Sequence, residues 1–265
     1  MDVPTEHDFL IICGKEYAVA DAYIDLEACG GPYQGVNGTR SIGMHVRSRE
    51  TGLTIFEKEW YPSALAGIDC KQQASLYWNQ PQNHTEWLSI CDKAQPRLLV
   101  IEEIRTVMHA ARQAGWTIHL LARPATYDFR ELTAFFQTSG IEFLSQREDF
   151  KNGSMSSADI LAQICAPFDL RKDMPTHFDA RNMMASPFGF GGATQVTDIG
   201  QQINGAALVL GIENAVDFRN LLQKVLGRQL THNGLQDARD QADVWDHFKK
   251  LIKANDHAAL RELLQ

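Results

Sequence analysis

The stretch Arg97–Ala122 limits the fold more than any other. Leu98, Ile101, Ile104, Arg105, Met108 and Ala111 recur at helical spacing, and Gly115 ends the pattern. Trp116-Thr-Ile-His-Leu-Leu-Ala122 follows at once as an apolar run of strand length. A helix that feeds a buried strand belongs to a crossover, so this chain must build a sheet with helices packed on it.

The neighbouring segments extend that sheet. Phe9–Val19 reads as extended, and Ala22-Tyr-Ile-Asp-Leu-Glu-Ala28 as a short apolar strand carrying two acids. Ser41–Arg47 and Leu53–Trp60 flank Glu50-Thr-Gly52 and read as a hairpin. Gln72–Trp78 and Thr85–Cys91 have helical character. Phe129–Thr138 reads as a helix stopped by Gly140, and Ile141–Leu144 as a last short strand. The expected fold is α/β, a mixed five-stranded sheet flanked by helices. Residues 145–200 hold Pro167, Pro175, Pro187 and a Gly-rich run, and read as a loop-rich insertion within a single domain spanning 1–265. Helices are expected again over Asp217–Leu226, Leu235–Ala254 and from His257 onward.

Composition narrows the class. Hydrophobic residues make up 44% and charged residues 22%, an ordinary globular balance. No apolar run reaches the length of a membrane span, and Met1–Asp8 lacks the basic start of a secretory signal. Cys13, Cys29, Cys70, Cys91 and Cys165 contain no CxxC pair and are odd in number, which argues against a disulfide framework or a zinc site. A cytoplasmic setting is expected. The formal net charge of −8 argues against a broad basic surface gripping duplex nucleic acid, though not against a narrow cleft holding a few nucleotides.

Three acidic motifs carry the chemistry. In Asp25-Leu26-Glu27, residues two apart on a strand face one side, so both carboxylates point together. Buried acids so placed cost solvation unless a cation compensates, and Mg²⁺ favours hard oxygen ligands. Asp128 follows the buried strand and stands where a helix begins, a place equally suited to an N-cap. In His232-Asn-Gly-Leu-Gln-Asp237, Thr231–Gly234 looks like a helix entry and Asp237 falls in its first turn, with Asp240 and Asp243 as rivals on the same helix. Taken singly, each motif has an ordinary structural explanation.

Their order does not. A D-x-E pair, an Asp after a strand, and H-x-x-x-x-D near the C-terminus resemble the DEDDh 3′→5′ exonuclease family. His232–Ala242 resembles that family's third motif and Arg123–Leu132 its second. Tyr77-Trp-Asn-Gln-Pro81 and Phe178-Asp-Ala-Arg181 are similar to segments of exonuclease VIII-like members. The likeness runs from about Ala22 to Lys250 by motif order. The chain departs from it at Ala28-Cys29-Gly30, where many members carry Thr after the Glu, and at Pro124. The stretch Phe150–Gly200 has no counterpart.

The resemblance implies a ribonuclease H-like sheet and two-metal hydrolysis of phosphodiesters. Asp25, Glu27, Asp128 and Asp237 would hold two Mg²⁺ or Mn²⁺ ions, and His232 would be the general base. The implied partner is the 3′ end of single-stranded RNA or DNA, with a homodimer as a further expectation. Ala28, Tyr127 and Phe129 are the nucleic-acid contacts expected near the site, and Phe188 and Phe190 are further aromatics able to stack on bases. The rival readings are a catalytically inactive binding module, an endonuclease on the same sheet, and an acidic α/β protein that binds a small molecule.

Overall fold

The computed structural model describes residues 9–12, 15–29, 38–64, 76–145, 148–156, 196–214 and 216–265. Its strands are β1 (Phe9–Ile12), β2 (Lys15–Ala28), β3 (Thr39–Ser48), β4 (Thr54–Trp60), β5 (Trp116–Ala122) and β6 (Val196–Asp198). Its helices are α1 (Pro81–Asp92), α2 (Arg97–Gln113), α3 (Ala125–Ser145), α4 (Glu148–Lys151), α5 (Ile199–Val209), α6 (Phe218–Leu226), α7 (Gly234–Lys253) and α8 (His257–Leu264).

The order across the sheet is β4-β3-β2-β5-β6, and β1 pairs with the start of β2. The meander β2-β3-β4 is antiparallel, whereas β5 and β6 run parallel to β2. The C-terminal ends of β2, β5 and β6 therefore share one edge, where ligands collect in α/β sheets. This is the α/β mixed sheet the sequence implies, and it is compatible with a ribonuclease H-like fold.

Alternation along β2 divides the molecule into two layers. Ala20, Ala22, Ile24 and Leu26 face one side, beside Ile42, Met44, Val46, Trp60, Ile118 and Leu120. Val100, Ile101 and Ile104 of α2 and Phe129, Leu132 and Phe135 of α3 cover them. The opposite side carries Asp21, Tyr23, Asp25 and Glu27. There Tyr23 and Leu121 pack with Ile203, Phe218, Leu221, Ala238, Ala242 and Phe248 of the C-terminal helices. Small residues at Gly234, Ala238 and Ala242 lie one turn apart on α7 and let that helix lie close to the sheet.

Several expectations are corrected. Ile141–Leu144 is not a strand: α3 runs without a break from Ala125 to Ser145, past Gly140. A four-residue apolar run fits either element, and an interior glycine weakens a helix by only about 1 kcal/mol. The last strand is β6, inside the segment expected to be loop, and α5 follows it unforeseen. Leu76–Asn79 forms a turn, not the end of a helix, and α1 begins at Pro81, a residue suited to a first helical turn. Residues 157–195 of the expected insertion, with Phe178–Arg181, Phe188 and Phe190, lie outside the described residues. Cys29 and Cys91 are thiols. Among the described residues, no helix is long and apolar enough to cross a membrane.

Candidate active site

The site stands on one contact between two glycines. Gly43 of β3 is the cross-strand partner of Asp25. A Cβ built on Gly43 would sit 2.0 Å from the carbonyl carbon of Gly234, and one on Gly234 would sit 2.8 Å from Ser41 Oγ and 3.1 Å from the Asp25 carbonyl oxygen. Any larger residue at either position would lift the first turn of α7 off the sheet. With glycine at both, the turn carrying His232 and Asp237 is seated over Asp25 and Glu27.

That turn is held by its own polar groups. Asn233 caps α7, accepting from the Gln236 amide at 2.9 Å. Asp237 reaches back: its Oδ1 accepts from the Thr231 amide and hydroxyl, both at 2.9 Å, and its Oδ2 from the His232 amide at 2.8 Å. These bonds hold His232 in the left-handed region at φ 57°, which costs a non-glycine residue about 1 kcal/mol or more. The imidazole lies edge-on to Tyr77, with ring centres 5.0 Å apart. Its Nδ1 is 3.8 Å from Glu27 Oε1. Burial pulls the His232 pKa below its usual value, the neighbouring Asp237 opposing. The Glu27 contact is therefore one made by a neutral ring, not an ion pair.

The carboxylates crowd the same edge. Asp25 Oδ1 accepts from Gln241 Nε2 at 2.7 Å, one turn along α7 from Asp237. A bulge between Glu27 and Ala28 re-aims the end of β2. Asp128 enters from α3. It is 2% exposed and accepts from the Leu26 backbone amide, and its Oδ2 has no hydrogen-bond partner among the described residues. Burial raises the Asp25, Glu27 and Asp128 carboxyls well above the carboxylate range. Mutual repulsion adds to this: Asp128, Glu27 and Asp237 act on Asp25, and Asp237 and Asp128 act on Glu27. Asp237 is raised too, by burial, against its three donors.

Such a set fits a divalent cation. Ligand atoms of Glu27, His232 and Asp237 lie within 4.8 Å of one another. The unpartnered oxygen of Asp128 and the repulsion acting on Asp25 and Glu27 are both features that a divalent cation would relieve. Asp25, Glu27, Asp128 and Asp237 offer hard oxygens of the kind Mg²⁺ and Mn²⁺ take.

The rivals on α7 are occupied elsewhere. Asp240 is bound by Arg228 and by Gln236, and Asp243 pairs with Arg47 at 2.6 Å. Asp128 is not an N-cap, because α3 starts at Ala125 and the Ala125 amide donates to Asp198 Oδ2 at 3.0 Å. Phe129 is not placed to contact nucleic acid: it is fully buried in the core beneath β2, since one helical step from Asp128 turns its side chain by about 100° into the packed layer. Tyr127 is 36% exposed, and Glu131, Asp128, Glu27 and Asp25 all act on its hydroxyl, so its ring borders the cluster. Ala28 is half-buried, and its carbonyl accepts from Trp78 Nε1 at 2.9 Å.

Three contributors escaped the motif reading. Glu59 of β4 accepts from Ser41 at 2.6 Å and from Asn233 at 3.1 Å, tying the α7 cap to the sheet. Glu86 of α1 and Glu59 both add negative charge around Glu27. Gln241 lay in the quoted motif without a role. The alternation of β4 could have turned Glu59 to the acidic face, but nothing in sequence brings Glu86 there.

Two described cavities, of about 410 and 420 Å³, lie at the other end of α7, around Arg49, Lys249 and Lys253. Their inner cations are already engaged: Arg49 by Asp21, Arg47 by Asp243 and Asp246, Lys249 by Asp246. Neither cavity is lined by Asp25, Glu27, Asp128, His232 or Asp237. No protein-family model and no curated protein sequence matches this chain.

Proposed function

We propose that this chain is a metal-dependent 3′→5′ exonuclease of the DEDDh kind, acting on single-stranded RNA or DNA. The observation that carries the reading is the convergence of Asp25, Glu27, Asp128 and Asp237 with a half-buried His232 at the C-terminal edge of the sheet. Asp25, Glu27, Asp128 and Asp237 would hold Mg²⁺ or Mn²⁺. When bound, such ions offset the charge on the attacking and leaving oxygens of a phosphodiester.

The chain's own residues supply the rest. His232 is kept neutral by burial, so it can take a proton from the attacking water near neutral pH. Asp237 fixes the His232 backbone, and Gln241 orients Asp25. The exposed ring of Tyr127 is suited to stack on a terminal base.

The test uses matched RNA and DNA oligomers labelled at the 5′ end, with Mg²⁺ or Mn²⁺. A ladder shortening from the 3′ end is expected, absent in chelator and absent for Asp25→Asn. Degradation of a 3′-blocked strand would indicate an endonuclease instead. Binding without degradation in either metal would leave an inactive nucleic-acid-binding module.

A further inference from the structure

Among the described residues, two guanidiniums beside the carboxylate cluster make no side-chain hydrogen bond or ion pair. The other described arginines near the sheet's polar face are held: Arg47 by Asp243 and Asp246, Arg49 by Asp21, Arg228 by Asp240 and Arg239 by Glu57. Arg123 and Arg219 make no hydrogen bond or ion pair through their side chains among the described residues. Arg123 directly follows β5, at the edge where Asp25 and Glu27 end β2. Its guanidinium lies over the Phe218 ring, 4.3 Å from the centre, and its stem runs past Gly200. Arg219 is the next residue after Phe218, exposed on the first turn of α6. Its charge acts on His232 and Tyr77, whereas Arg123 acts on Asp128. The two cations therefore flank the acids from α6 and from the β5–α3 turn.

We propose that Arg123 and Arg219 form a phosphate clamp that holds the phosphodiester next to the one cleaved. The proposal rests on the exonuclease reading for its substrate and on the two unpartnered guanidiniums for its site. Guanidinium is weakly hydrated, stacks on aromatic faces and forks onto phosphate oxygens, so Arg123 is pre-oriented by Phe218 with its donors unspent. The clamp also explains how a chain of net charge −8 holds a polyanion beside a nest of carboxylates. The substrate must then carry at least two consecutive phosphates.

The experiment measures binding of a 5′-fluorescein decathymidylate by anisotropy, with Ca²⁺ in place of Mg²⁺, across a series of salt concentrations. Each lost phosphate contact on a single strand flattens the slope of log K against log salt by about 0.7. Arg123→Ala and Arg219→Ala should each do so, and Arg123→Lys should restore the slope. Slopes equal to that of the parent in both Ala variants, with unchanged melting midpoints, overturn the clamp. Where Arg123→Ala does not fold, the exposed Arg219→Ala decides alone. Flattened slopes without any Mg²⁺- or Mn²⁺-dependent release of mononucleotides would keep the clamp and remove the exonuclease reading.

Discussion

Replacing Asp128 by Asn is expected to stabilise the metal-free protein at neutral pH. The carboxyls of Asp25, Glu27 and Asp128 are held well above their ordinary range by burial first; charge within the cluster adds to this for Asp25 and Glu27, and Asp198 and Glu131 add to it for Asp128. The folded cluster therefore keeps protons that the unfolded chain has released. Its contribution to stability is full below the unfolded carboxylate range and is lost as pH rises through the raised folded values. Each retained proton makes stability fall by about 1.4 kcal/mol per pH unit over that window. For a chain of this size that is about 3–5 °C in melting midpoint per pH unit. The protons belong to the cluster as a whole and not to one residue. Asparagine keeps the acceptor for the Leu26 amide and puts an N–H₂ donor where Oδ2 has no partner, among other carboxylates. Thermal unfolding in chelator, from pH 5 to 8, should give Asp128→Asn a flatter profile lying above the parent at pH 7–8. Mg²⁺ should then raise the parent and leave the variant nearly unmoved. An Asn variant that melts below the parent at pH 8, with the same pH slope, would refute the reasoning.

His232→Ala should lower kcat by about 10²–10⁴-fold while oligonucleotide affinity in Ca²⁺ is retained, as removal of a general base does. Gln241→Leu takes the donor from Asp25, so metal affinity by calorimetry should weaken about 10–100-fold, and the acid limb of the pH–rate profile should move to higher pH. Gly43→Ala drives a methyl into the Gly234 backbone and should cost about 3 kcal/mol or more, read as a lowered urea midpoint together with lost activity. Phe129→Ala should cost about 3–5 kcal/mol in the same assay, yet leave the salt slope of nucleic-acid binding unchanged, because Phe129 is core.

Sequence alone determined the parts of this protein that depend on local periodicity. Alternation from Ala22 to Ala28 turned the Asp25 and Glu27 side chains to one face, and the helical spacing of Leu98–Ala111 ahead of Trp116–Ala122 required a crossover onto a sheet. The His232–Asp237 segment read correctly as a helix entry because capping chemistry acts within four residues. Tertiary structure decided what periodicity cannot carry. Ile141–Leu144 became helix because a four-residue run has no preference strong enough to overrule its helical flank, and Val196–Asp198 took the sheet edge beside β5 instead. Phe129 went to the core because one helical step, about 100°, carries its side chain from the Asp128 edge into the packed layer once α3 is docked. Above all, the seating of Asp237 beside Asp25 and Glu27, which the H-x-x-x-x-D spacing could only imply, depends on the closeness of Gly43 to Gly234. That distance exists only after β3 and α7 have packed, since residues far apart in the chain share no local signal of their meeting.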